Sequence, residues 1–139
     1  IEAKEKKLNS VTCWGTGNAL REFLFVDDLA EACIFALENW NPHSKEAPKD
    51  KNNEPLFWLN VGCEDEISIK DLAKKISQIV GFNGDIYWDN KKPDGTPRKK
   101  LSITRMKNLG WEASTSLEQG IIKTINQYRK DSKNNNLRI

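Results

Sequence analysis

No stretch of this sequence stays apolar for the roughly 18 residues needed to cross a bilayer. The longest candidate, residues 29–37, is short and carries Glu31. An excess of one charge is also missing. The 22 Lys and Arg against 20 Asp and Glu leave +2, too near balance to imply nucleic acid or a membrane surface. Cysteine is scarce: Cys13, Cys33 and Cys63 are widely spaced, odd in number and without a CxxC pair. That excludes the usual zinc spacings, argues against a disulfide framework and fits a reducing cytoplasm. His43 is the only histidine. It stands in a polar stretch beside Pro42 and Ser44, with no Cys or carboxylate placed to orient it, and is not read as an acid–base catalyst.

What is present suffices for a folded domain. The chain has 139 residues, 37% of them hydrophobic and 30% charged, with five Trp. A chain near 150 residues hides about 68–70% of its unfolded surface. The opening Ile1-Glu2-Ala3-Lys4-Glu5-Lys6-Lys7 has no initiator Met and no signal-peptide pattern. It reads like the tail of a helix already under way, so a piece of a longer protein is expected. One domain is expected over 1–130, and a disordered polar tail over 131–139.

Along the chain, β-prone runs alternate with helical patterns. Residues 11–14 and 22–26 are rich in aromatic and β-branched side chains and predict strands. Asp27 and Asp28 then stand where an N-cap belongs. Leu29, Ala32, Cys33, Ala36, Leu37 and Trp40 follow at helical spacing, a stripe predicted to face the core, where Cys33 would be inert. Residues 41–55 predict a long polar loop and 56–61 a clear strand. Ser68-Ile69-Lys70-Asp71 has the form of a capping box. The helix it opens carries Ile69, Leu72, Ala73, Ile76, Ile79 and Val80 on one face and stops at Gly81. Residues 85–88 predict a strand, 91–100 a basic loop, 104–109 a short helix before Gly110, and the last helix starts at Ser116. Short strands with about four helices indicate a mixed α/β or α+β fold.

Two motifs invite nucleotide chemistry and fail on spacing. Gly15-Thr16-Gly17 would need a further Gly at position 20, occupied by Leu20, and should open a helix, whereas a strand follows. It reads as a tight turn. Tyr87 and Lys91 fit Y-x-x-x-K, but that dyad needs both side chains on one helical turn. On extended chain they stand roughly 13 Å apart. Cys13 and Cys63 lie at strand positions and carry no evident chemistry. The segment 91–107 is different. It holds Lys91, Lys92, Arg98, Lys99, Lys100, Arg105 and Lys107 against Asp94 alone, and Pro93, Gly95 and Pro97 shape it. Cations on a turn-rich loop suit a phosphate, although a solvated surface would look the same. The interleaved aromatics of single-strand nucleic-acid binders are missing.

The order of motifs resembles a family. Trp14-Gly-Thr-Gly-Asn-Ala-Leu-Arg21-Glu-Phe-Leu-Phe-Val-Asp27-Asp28, then Asn60-Val61-Gly62, Ser68-Ile69-Lys70-Asp71-Leu72-Ala73, Lys92-Pro-Asp-Gly-Thr-Pro-Arg-Lys99 and Leu109-Gly110-Trp111 resemble the C-terminal part of extended short-chain dehydrogenase/reductases acting on nucleotide sugars. The Trp14 and Lys92–Lys99 motifs together narrow this to the GDP-L-fucose synthases. The resemblance implies a substrate-binding portion of an enzyme that epimerises GDP-4-keto-6-deoxy-D-mannose at C3 and C5 and reduces C4 with NADPH. It implies that Trp14, Arg21, Asp94 and Lys99 contact the GDP-sugar, Asp94 as an acceptor for ligand donors. It places the NADP-binding loop and the catalytic residues in an N-terminal part absent here. No catalytic, cofactor-binding or metal residue is therefore expected in this chain, which should be inactive alone. It also implies a cytoplasmic parent, homodimeric through the missing half, without nucleic-acid or membrane partners. The strand at 56–61 would extend the parent's large cofactor-binding sheet. Two departures stand out: Ser102 occupies a position where relatives often carry an acid, and the 41–55 loop differs in length from some of them. The alternatives are another nucleotide-sugar epimerase or dehydratase, or a free-standing anion- or RNA-binding module.

Overall fold

In β1 (Ser10–Trp14), Val11 and Cys13 are half-buried while Thr12 and Trp14 are exposed, the alternation of a strand with one covered face. The computed structural model describes residues 1–134. The remaining elements are α1 (Glu2–Glu5), β2 (Leu20–Glu22), α2 (Val26–Asn39), β3 (Glu66–Ser68), α3 (Ile69–Val80), β4 (Asp85–Asp89), β5 (Arg98–Lys99), α4 (Thr104–Leu109) and α5 (Leu117–Lys133). The sequence predicts one domain over 1–130. Within the chain lie two compact units, one from Ile1–Arg21, Glu66–Lys99 and residues from Leu117 onward, the other from Glu22–Asp65 and Lys100–Ser116.

In the first unit β1 pairs in parallel with β4, matching Val11 with Ile86 and Cys13 with Trp88. A second small sheet has the order β3-β2-β5. The α3 helix forms where the capping box predicts it. Ser68 Oγ accepts the Asp71 N–H at 3.0 Å, and its hydroxyl donates to Asp71 Oδ2 at 2.6 Å. Gly81 ends the helix in the left-handed region at φ 72°, where a residue without Cβ is unstrained. Lys4 Nζ adds a hydrogen bond to the Val80 carbonyl at 2.8 Å, a cation on the negative end of the helix. Packing of α5 beside α3 is tied by Lys75 and Glu118 at 3.0 Å, and α5 buries Gly120 and Ile125. The α5 helix runs on through residues 131–133 of the expected tail; residues 135–139 of that tail lie outside the described residues. Ser68→Ala should lower stability by roughly 0.5–2 kcal/mol, whereas Ser44→Ala should cost almost nothing. Chemical denaturation giving equal effects would misplace this helix start.

The second unit is built around Ala32, Met106 and Trp111, with Leu24, Phe35, Leu59, Val61, Leu109 and Ala113 packed against them. Three carboxylates knit it together. Glu22 accepts the N–H groups of Glu64 at 3.0 Å and Leu101 at 3.1 Å. Lys107 bridges Glu64 at 2.9 Å and Glu112 at 2.8 Å. That pairing holds the Glu64 carboxyl below its ordinary range and raises the Lys107 ammonium.

Local expectations for the second strand, the start and buried face of α2, and residues 56–61 need correction. The second strand is Leu20–Glu22, and 23–25 lead directly into α2, whose N-cap is Phe25 without a side-chain bond. Asp28 therefore sits inside the first turn, 2% exposed. The buried face of α2 carries Asp28, Ala32 and half-buried Phe35, while Leu29, Cys33 and Leu37 are exposed. This helix is apolar on two faces, and periodicity cannot choose between them. Residues 56–61 form no strand. Their ladder stops at the Lys49–Pro55 bridge and the Leu56 N–H to Pro48 O bond, leaving Phe57 and Trp58 exposed. A strand exists only with a neighbour to pair with. The 41–55 segment is a loop, as expected, and its turns are pinned by hydrogen bonds. Asp50 Oδ1 accepts the N–H groups of Asn52 and Glu54 at 2.8 and 2.9 Å, and Ala47 is buried. No described helix is long and apolar enough to cross a membrane.

Candidate anion-binding site

Gly15 and Gly17 link β1 to β2 with φ of +79° and +76°, a left-handed turn that other residues enter only with strain. A side chain on Gly15 would strike Asp94, and one on Gly17 the Trp88 ring. The turn is gripped from outside. Thr16 donates its N–H to Asp94 Oδ1 at 2.8 Å and its hydroxyl to Asp94 Oδ2 at 2.6 Å. These bonds, led by the hydroxyl, hold the Asp94 carboxyl below the ordinary aspartate range. The basic loop is thus fastened at its middle to the turn that follows Trp14.

Its far end becomes β5. Leu20 pairs with Arg98 and Arg21 with Lys99 in parallel register, and the Leu20 N–H donates to Pro97 O at 2.9 Å. Paired residues on adjacent strands stand about 4.8 Å apart on the same face, and the next pair points the other way. Arg21 and Lys99 therefore share one face. Arg98 emerges on the other and makes a two-pronged contact with Glu66 on β3, through Nε to Oε1 at 2.8 Å and Nη2 to Oε2. This fork raises the Arg98 guanidinium further. Since β2 lies between β3 and β5, the fork spans the central strand.

All four residues expected at the site fall in this one unit, joined by successive contacts. Trp14, 74% exposed, precedes the turn, and Lys92 Nζ lies 5.2 Å from its ring centroid, a cation–π distance. Asp94 holds the turn, the next residue, Gly95, lies against the Arg21 guanidinium, and Arg21 pairs with Lys99. Arg21 is steadied by its Nη1 donating to Leu20 O at 2.6 Å. The geometry gives Asp94 a different first duty from the acceptor role that the resemblance implies: both its oxygens are engaged by Thr16. Sequence reasoning singles out neither Thr16 nor Glu66, and it counts Lys92 only among the loop's cations. No local signal could reveal partners 78 positions away, as Thr16 and Asp94 are.

The clasp carries a pH signature. Its folded carboxyl is depressed, so its stabilisation is present above the ordinary aspartate pKa of about 3.9 and is lost as pH falls through the lower folded value. An NMR titration should place the Asp94 midpoint below that value and move the Thr16 amide with it. Thr16→Val should shift the midpoint upward; an ordinary midpoint in the parent chain would disprove the clasp.

The nucleotide-cofactor decoys stay decoys. Tyr87 is on β4 with its hydroxyl on Asp85 at 3.2 Å, and Lys91 is in the following turn. The Gly15–Gly17 turn leads into a strand. Neither fits NADP, so no hydride-transfer step is assigned to these residues. His43 packs edge-on against Phe57 at 5.6 Å. Ser102 Oγ meets Thr104 Oγ1 at 3.3 Å. Among the described residues no His, Cys, Asp and Glu group could hold a metal.

The family profile described as "NAD dependent epimerase/dehydratase family" matches residues 1–52. GDP-L-fucose synthase 1 of Arabidopsis thaliana is 40% identical over 130 residues, covering 94% of this chain and 36% of that protein. Over most of its length the chain is similar to GDP-L-fucose synthases. Among solved structures, a GDP-L-fucose synthetase from Naegleria fowleri bound to NADP superposes with a TM-score of 0.76 at 25% identity, over 95% of this chain and 38% of its own. A GDP-6-OMe-4-keto-L-xylo-heptose reductase from C. jejuni gives 0.75 at 32% identity, over 94% and 38%. The expected resemblance and the mixed α/β fold of the extended short-chain dehydrogenase/reductases are both borne out. The chain spans little more than a third of the length of these GDP-L-fucose synthase relatives.

Proposed function

We propose that this chain is the GDP-sugar-binding part of a GDP-L-fucose synthase. The whole enzyme converts GDP-4-keto-6-deoxy-D-mannose to GDP-L-fucose by 3,5-epimerisation and NADPH-dependent reduction, with NADP bound outside this chain. The observation that carries the reading is the Arg21–Lys99 register pair. It sets a planar fork and a point charge side by side on one strand face, an arrangement suited to a diphosphate. Trp14 supplies an exposed aromatic wall close by, where a planar base can stack. In this reading Arg21 and Lys99 hold the diphosphate, Trp14 flanks the nucleoside, and Asp94 shapes the loop that carries Lys99. The substrate is a small molecule rather than nucleic acid or lipid, the parent is a homodimer through its other part, and cytoplasmic placement rests on the three free thiols.

The test is a pair of NMR titrations of the chain, one with GDP and one with a short single-stranded RNA. Saturable shifts at Trp14, Arg21 and Lys99 with GDP, without comparable RNA binding, are expected. Saturable RNA binding with GDP silent would favour a free-standing nucleic-acid module and overturn the proposal.

A further inference from the structure

The loop that carries Lys99 is fastened by contacts on either side of it. Asp94 is fastened to Thr16 in the middle of the basic loop. Arg98 is fastened to Glu66 at the loop's end, on the opposite face of the sheet from Lys99. Between these two fastenings lie only Gly95, Thr96 and Pro97. Pro97 fixes its own φ, and its carbonyl is taken by the Leu20 N–H at 2.9 Å. The segment that delivers Lys99 to Arg21 is thus pinned at Asp94, Pro97 and Arg98.

We propose that Thr16 and Glu66 are positioning residues for the anion site, acting through Lys99. This rests on the GDP-sugar reading and deepens it. Lys99 and Arg21 repel each other when no anion lies between them, so the pair needs outside support to stay in register. The Glu66 fork supplies it from the far side of the sheet, because a guanidinium held by two parallel bonds cannot rotate freely. The Thr16–Asp94 clasp removes the other freedom, a swing of the loop away from the Gly15–Gly17 turn. A ligand then meets a loop already ordered and does not bear the cost of ordering it.

The experiment is GDP titration of the 139-residue chain, followed by NMR, for Thr16→Val, Thr16→Ser, Glu66→Gln and Glu66→Asp, each also in a Lys99→Ala background. Thr16→Val and Glu66→Gln should each weaken GDP binding by roughly two- to tenfold, the scale of ordering one or two long side chains. Thr16→Ser should restore binding, since the hydroxyl returns. Glu66→Asp should restore it only partly, since the shorter arm reaches the fork less well. In the Lys99→Ala background Thr16→Val and Glu66→Gln should have little further effect, because the residue they act through is gone; a general loss of folding would persist there. Two results separate the claims. If Lys99→Ala and Arg21→Ala leave GDP affinity unchanged, or the parent chain gives no saturable GDP shifts, the GDP reading fails. If those variants weaken binding but Thr16→Val and Glu66→Gln do not, or their effects persist without Lys99, the positioning role alone is overturned.

Discussion

Asp28→Ala is expected to lower the unfolding free energy by about 3 kcal/mol or more. The reason is the company this carboxylate keeps. It is 2% exposed and accepts the Ser114 hydroxyl at 3.2 Å, the Thr115 N–H at 3.1 Å and the Thr115 hydroxyl at 3.0 Å. Alanine would strand all three donors and open a space beside Ala32. Asp28→Asn should be far milder. Its amide oxygen can keep the Thr115 N–H, and its amide nitrogen can donate to hydroxyls that rotate to accept. Asp27→Ala, at an exposed neighbour, serves as the control and should cost little. Urea denaturation checks the series. Asp28→Ala within experimental error of the parent, or Asp27→Ala equally harmful, would return the pair to the capping role that the sequence suggests.

The second large effect concerns the ligand. Removing either Arg21 or Lys99 should weaken GDP binding by about ten- to a hundredfold, because a hydrogen bond to a charged group is worth roughly 1.5–3 kcal/mol net. Arg21→Lys should recover only part of the loss, since an ammonium cannot make two parallel bonds to one phosphate. Affinity should also fall as salt is raised, because the pair is open to solvent and screened. The measurement is titration with GDP at two ionic strengths. Binding that survives both alanine variants, or that ignores salt, would place the nucleotide elsewhere.

Much of this site is legible in the sequence, and the illegible part has one cause. Turn glycines, the Ser68 cap, Gly81 and Gly110 act through bonds spanning a few residues, so their signals are local and the structure matches them. Arg21 and Lys99 could be nominated because a shaped basic loop and an arginine after a turn already suggest an anion, and the family resemblance singled out both. Their adjacency, however, is decided by parallel pairing of β2 with β5, which no local pattern encodes. The same holds for Thr16 with Asp94 and for Asp28 with Thr115. The failed elements fail for related reasons. Residues 56–61 have the composition of a strand but no backbone to pair with. The α2 helix is apolar on two sides, so the sequence offers a second stripe beside the one that Ala32 and Met106 bury.

The interleaving of the two units bears on how the chain comes to be folded. Contacts that close each unit join residues far apart in sequence, a topology that slows folding relative to one built from neighbours. On a ribosome adding roughly 5–20 residues per second, the α2 face emerges on the order of ten seconds before Met106 and Trp111 arrive to cover it. During that interval Ala32 and Phe35 are exposed to chaperones and to other nascent chains. The wait is longer still for β1, since it belongs to the unit that α5 completes.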